Sequence, residues 1–468
     1  MFAVALLLII AAGCGITLIA LPHKRESSAI ETLSLSFLLG AFFVSASSFI
    51  FGFFITGLAL RLIIASLCLV LFAQGWRAGK GRSCWRFELP ASRSDWALFC
   101  FTLSLVALAV LVSSLRAMGW DGLFNWELKA RIAFLNGGTI PLSFYSDPTR
   151  PWSHPEYPLL TPLNEAWLYG WMGRADQEMA QVLFLIFFIA ALGLLHTSVM
   201  RFSSSRARLW ITPALILMAQ QIIFRGQGGI SSGYADLPIA VFYLASFTLL
   251  LEYFEKDDAR LLLLFGLLAG ALPWVKREGA ILWLCLIAMA MIRVIQRRDW
   301  RRIAPITAPG LAVLIGWRIF LMIAKPSSGD EFISPTLSSL RDNLWRAPQI
   351  ARAVMIELLN WRFWGPLWVA VIVSAILIIS KWKDGRRVIL PLAVFAPIAI
   401  YSSVYIFTGW EFMIHLNNSF PRLLIHVSLV AMLMVALIAP IGRFSKDDSN
   451  RYEPGGTGPH LTANRDAE

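Results

Sequence analysis

The chain alternates between long apolar runs and short polar breaks. A bilayer-crossing helix needs about 20 mostly apolar residues. Runs approaching that length lie near 2–22, 31–54, 56–76, 96–115, 178–200, 209–224, 236–253, 261–275, 279–293, 303–323, 363–380, 388–407 and 423–441. The pattern predicts an all-α integral membrane protein, a bundle of about 11–13 transmembrane helices. The runs at 209–224, 261–275 and 279–293 are short for a span. Residues 2–22 read as a retained span, because Met1-Phe2-Ala3-Val4 lacks the charged start of a signal peptide.

Two of the polar breaks are long loops, 116–177 and 324–362. The first carries Asp121, Glu127, Lys129, Arg131, Asp147, His154, Glu156 and Glu165, interleaved with Trp120, Trp126, Trp152, Trp167 and Trp171. Asn125 is placed to cap a helix starting at Trp126, with Glu127 and Arg131 paired one turn apart. Asn136-Gly137-Gly138 would end it. Pro141, Pro148, Pro151, Pro155, Pro158 and Pro162 keep the middle extended, and a second helix is expected over Leu163–Met172. Its Trp167 and Trp171 suit a membrane–water boundary. The loop at 324–362 ends in an amphipathic run, Ile350–Phe363, expected to lie along the interface. Residues 1–442 read as one transmembrane domain, and 443–468 as a disordered cytoplasmic tail.

Composition agrees: 57% of residues are hydrophobic and 15% charged. Mean hydropathy is +0.65. The net charge of +12 reflects placement rather than nucleic-acid binding. Most Lys and Arg fall in 23–26, 77–95, 201–208, 254–260, 293–302, 381–387 and the tail. By the positive-inside rule these face the cytoplasm, and both long loops and the N-terminus face outward. Partners are therefore membrane lipids, not nucleic acid, and the expected location is a cell membrane with the site facing outward. The five cysteines have no metal-ligand spacing and no disulfide framework.

Five stretches can carry chemistry, and each also has a structural reading. Asp121, between Trp120 and Gly122, is a candidate general base, or else a helix cap or a partner for Arg116. His154-Pro155-Glu156-Tyr157-Pro158 holds His154 and Glu156 on a stiff backbone that can face a sugar or phosphate, or is merely a proline-ordered loop. Asp236, after Arg225-Gly226-Gln227-Gly228-Gly229, is a second carboxylate for the same pocket, or a helix cap. Lys276-Arg277-Glu278-Gly279, between two short apolar runs, can hold a lipid phosphate, or is a turn reaching the interface. His415 and Arg422 precede the final run and can pair with a phosphate, or anchor it at the interface. Walker, Rossmann, nucleophile-elbow and HExxH motifs are absent, which excludes a cytoplasmic nucleotide engine and favours a donor already activated on a lipid.

In order and sidedness these pieces resemble the GT-C superfamily of polytopic glycosyltransferases, within it the bacterial relatives of protein O-mannosyltransferases and of the aminoarabinose transferase. The resemblance rests on Trp120-Asp121 opening a long outward loop, on 154–160 (HPEYPLL), on Tyr234-Ala235-Asp236, and on Lys276-x-Glu278-Gly279. The stretch 415–424 (HLNNSFPRLL) also looks like a C-terminal segment of such proteins. Two features depart from the family: three apolar runs precede the fourth span, where the family usually has one span before the large loop, and Gly122 follows Asp121 where O-mannosyltransferases carry an Asp-Glu pair.

The resemblance implies a polyprenyl-phosphate-linked sugar donor and an acceptor hydroxyl on a glycan, lipid or protein. It makes Asp121 the base and Asp236 the second-loop acid, and it sets Lys276 and Arg277 near the donor phosphate. Transfer is expected to invert the anomeric centre. Paired acids can hold a divalent metal, although no motif requires one. Two rival readings are a transporter or flippase for lipid-linked glycans, and a lipid-linked glycan polymerase or ligase.

Overall fold

The computed structural model describes residues 1–22, 25–79, 85–86, 89–327, 332–380 and 388–439. The expected tail at 443–468 lies outside them. The described residues form an all-helical bundle. Ten helices are long and apolar enough to cross a membrane. Eight of them are α1 (Phe2–Ala20), α2 (Ala29–Phe51), α3 (Gly57–Ala78), α4 (Arg93–Leu115), α7 (Gln177–Phe202), α9 (Asp236–Lys256), α11 (Gly279–Arg297) and α12 (Ile303–Ala324). The other two are α15 (Ile389–Val404) and α16 (Phe412–Ile438). Between α4 and α7 lie the shorter α5 (Leu128–Leu135) and α6 (Leu160–Met172), and α8 (Ile211–Met218), α10 (Leu261–Val275), α13 (Ala347–Leu358) and α14 (Leu367–Ser380) complete the helices of eight residues or more.

Several expectations are corrected. The run at 209–224 is not one span: Ala219 leaves helical geometry, separating α8 from a single turn at Gln220–Ile223. Gln220 and Gln221 interrupt the apolar run, and the Gln221 amide turns to donate to the Gln227 carbonyl. Asn125 caps nothing, because Gly122–Glu127 winds as a π-helix that runs straight into α5. The second loop helix starts at Leu160 rather than Leu163, and its Trp167 is buried, with its indole N–H donating to the Ala5 carbonyl. The final helix starts at Phe412, so His415 and Arg422 stand on its first turns and not in a preceding loop.

The centre of the bundle is α9, on which every residue from Asp236 to Phe254 is buried. A helix apolar all round has no face to offer solvent or lipid, so it is enclosed by neighbours, here α7, α10, α11 and α16. At the edge, α1 and α2 approach closely enough that a Cβ on Gly13 would lie 1.7 Å from the Ser36 carbonyl oxygen. Small residues permit such backbone contact between membrane helices.

The 16 steps from Asp236 to Glu252 rise about 24 Å at about 1.5 Å each, so α9 joins opposite ends of the bundle. At its far end Glu252 and Glu31 share two arginines. Arg25 Nη2 lies 2.6 Å from Glu31 and 2.8 Å from Glu252, and Arg201 lies 2.5 Å and 3.3 Å from the same pair. Removing one carboxylate leaves two guanidiniums sharing a single acid. Glu252→Gln is expected to cost about 3–5 kcal/mol, read as a lowered thermal unfolding midpoint in detergent. An unchanged midpoint would show the cluster to be dispensable.

Candidate functional site

The near end of α9 holds the other charged cluster. Because α10 has only 15 residues, it rises about 22 Å, short of a hydrocarbon core of about 30 Å. The turn Lys276-Arg277-Glu278 is therefore drawn into the bundle, and Lys276 is buried. Its Nζ lies 2.8 Å from Asp236 and 3.3 Å from Glu278. Burial opposes ionisation of Glu278, but Lys276 and Arg277 outweigh it and hold the carboxyl down at about 2.

Asp236, the first residue of α9, is fully buried and collects three partners. Besides Lys276, these are His426 Nε2 at 2.8 Å and Arg422 Nε at 3.3 Å. His426 Nδ1 in turn lies 3.3 Å from the Tyr401 hydroxyl. Arg422 also reaches Asp121, with Nη1 2.7 Å from Oδ2, and its guanidinium sits 4.4 Å from the centre of the Tyr234 ring. One arginine thus links the two acids predicted to share a pocket.

Asp121 is braced by the loop ahead of α9. Its backbone N–H donates to the Tyr234 hydroxyl at 3.1 Å, and the Gly119 N–H donates to the Ser232 carbonyl at 2.9 Å. A Cβ on Gly122 would lie 2.1 Å from that carbonyl oxygen, so only glycine lets the strands of backbone close here.

The turn at 151–157 forms the opposite wall. His154 has φ 48° and ψ 61°, a left-handed conformation that disfavours side chains with a Cβ. Its ring stacks on Tyr157 with centroids 4.7 Å apart, and its Nδ1 lies 3.6 Å from Glu156. Burial works against the Glu156 carboxylate, yet hydrogen bonds, first the one with His154, leave its pKa below the usual range. Arg277 lies over Tyr157 and Phe332, at 5.3 and 5.1 Å, and 3.9 Å from Glu156. Phe332 is brought in by a two-residue bridge, in which the Ile333 N–H donates to the Phe407 carbonyl at 2.7 Å.

These walls enclose a cavity of about 450 Å³. Asp121, His154, Tyr157, Lys276, Arg277, Glu278, His415 and Arg422 line it. Asp236 lies buried behind Lys276 and Arg422, and Glu156 stands at the rim between His154 and Arg277. His415 is the most peripheral, its Nδ1 2.7 Å from the Thr408 hydroxyl. The remaining surface is largely aromatic and aliphatic, with Tyr401, Tyr405, Trp410, Ile281, Val404 and Leu423. Sequence reasoning missed His426, a lone histidine inside an apolar run that invites a search for a buried acid. It also missed Phe332, Tyr401 and Tyr405, which carry no local signal. Among the described residues no group of three or more His, Cys, Asp or Glu is arranged to hold a metal ion.

Comparison with protein-family models, with curated proteins and with solved structures yields no match for this chain.

Proposed function

We propose that the protein is a membrane glycosyltransferase of GT-C type. It would move a sugar from a polyprenyl-phosphate-linked donor to an acceptor hydroxyl on the extracytoplasmic face, with inversion. The observation that carries this reading is one cavity lined by a carboxylate, a cationic turn and apolar walls together. The cations suit a phosphate, the apolar wall suits the start of a lipid chain, and the carboxylate suits a hydroxyl.

In this reading Asp121 takes the acceptor proton. Arg422 holds Oδ2, and Oδ1 is left for the acceptor. The new bond forms from the acceptor oxygen to the anomeric carbon as the bond from that carbon to the phosphate oxygen breaks. The electron pair leaves on the lipid phosphate. Arg277, which lines the cavity with 43% of its side chain exposed, stabilises that growing charge. Lys276, tied to Asp236 and Glu278, sets the potential behind it.

An exposed aromatic row starts beside the base and suits the acceptor. Trp120 and Phe124 have centroids 4.3 Å apart, and Phe124 and Trp152 6.0 Å. Trp152 is fixed by its indole N–H, which donates to the Thr149 carbonyl at 3.1 Å. Trp120→Ala is expected to raise the acceptor KM about tenfold, equivalent to about 1.4 kcal/mol, with kcat near wild type. A fall in kcat at unchanged KM would remove the row from acceptor binding.

The direct test is release of lipid monophosphate and glycosylated acceptor by purified protein given a polyprenyl-phosphate monosaccharide. Movement of the donor across proteoliposomes without bond cleavage would instead support the flippase. That rival is less favoured, because among the described residues the charged clusters sit at the two ends of the bundle, whereas transporters bind near the midplane.

A further inference from the structure

Lys129 is fully buried on α5, eight residues after Asp121, and does not line the cavity. Its Nζ donates to Asn125 Oδ1 at 2.7 Å and to the His154 carbonyl at 2.7 Å. The same Nζ lies over the rings of Trp126 and Tyr157, 5.4 and 5.7 Å from their centroids. The contact to His154 crosses from the helical run carrying Asp121 to the left-handed turn that presents His154 and Tyr157. Lys129 therefore fastens one wall of the cavity to the other, at the residue whose backbone is least comfortable.

The number of acceptors is informative. Two ring faces lie beside Nζ, and its two oxygen acceptors are both on neutral groups. A neutral amine carries two N–H donors and matches them. The charged groups facing Lys129 are Asp121 from its own run and Glu156 from the turn; His154 contributes its carbonyl and Tyr157 its ring. On the far side, Arg277 lies over the other side of this wall, near Tyr157 and Glu156.

We propose that Lys129 is a positioning residue that acts as a latch, with its neutral amine fastening the His154 turn to the Asp121 segment and its protonation favouring release. Burial lowers the amine to about 7, a shift that Glu156 and Asp121 only partly offset. The sign follows from linkage. An opened turn exposes Lys129 to water, where its pKa returns to about 10.5. Between those two values the open form holds a proton that the closed form lacks. Closure is therefore favoured as pH rises.

The test is hydrogen exchange of the full-length protein in nanodiscs from pH 6 to pH 9, corrected for intrinsic rates. The reporters are the amides of Ser153, His154 and Tyr157, which donate to Arg150, Pro151 and His154 carbonyls. Wild-type protection is expected to be nearly flat below pH 6.5 and then to rise, approaching tenfold per unit above about 7.5. In Lys129→Met the rise should vanish. Wild-type protection that does not change with pH would overturn the latch even if the variant fails to fold. So would an unchanged slope in Lys129→Met. A second arm rests on the transferase reading: kcat/KM should rise from pH 6 to pH 8 in wild type and lose that limb in Lys129→Met. If no transfer is found, that reading fails while the exchange arm still decides the latch.

Discussion

Asp121→Asn is expected to lower sugar transfer by about 10³-fold at saturating donor, within the range general-base catalysis contributes. Asparagine keeps the shape of the side chain and loses its basicity. It also gives up the ion pair with Arg422, but Arg422 retains Asp236. Asp121 is 27% exposed, so its neutral replacement strands no buried charge and the fold should persist. The measurement is initial rate against donor concentration, beside a thermal melt. A kcat drop with little change in donor KM supports the role, since the proposed reading assigns the donor phosphate to Arg277 and not to Asp121. Transfer within a few-fold of wild type would remove Asp121 as the base.

Lys276→Met is expected to have the second largest effect, on stability as well as on transfer. Lys276 is held between Asp236 and Glu278, and both acids lose their nearest cation. Breaking a buried pair from one side costs about 3–5 kcal/mol. Asp236→Asn added to Lys276→Met removes the stranded charge and should recover part of the stability, a coupling of about 1–3 kcal/mol. Transfer should not recover, because the cationic turn is still missing its lysine. Additive losses in the double variant would mean that the two residues do not share one ion pair. Recovered transfer would instead show that Lys276 serves only to balance Asp236.

How far the site could be read in advance differs between its parts. The hairpin at 276–278 was visible because charges between two short apolar runs are hard to explain otherwise. Asp121 stood out because polar residues are scarce beside a span. Arg422 was visible as a cation but its purpose was not, because the residues it joins lie 301 and 186 positions away. His426 was hidden by its apolar neighbours, and Lys129 by the many charges of its own loop. Apolar length likewise overstated the run at 209–224, where the backbone breaks at Ala219 and the Gln221 amide donates to the Gln227 carbonyl.

By itself the sequence determined the solvent. Long apolar runs admit a helical bundle, since backbone groups in lipid must be bonded within their own segment. It also determined which breaks could hold charge, and the short α10 that draws a charged turn inward. Only the tertiary structure decided which charges meet. Asp121, Asp236, Lys276 and Arg422 come from four separate stretches, and their contacts depend on how α4, α9, α10 and α16 pack. Packing between helices rests on side-chain shape and close approach, which no periodicity along one chain records.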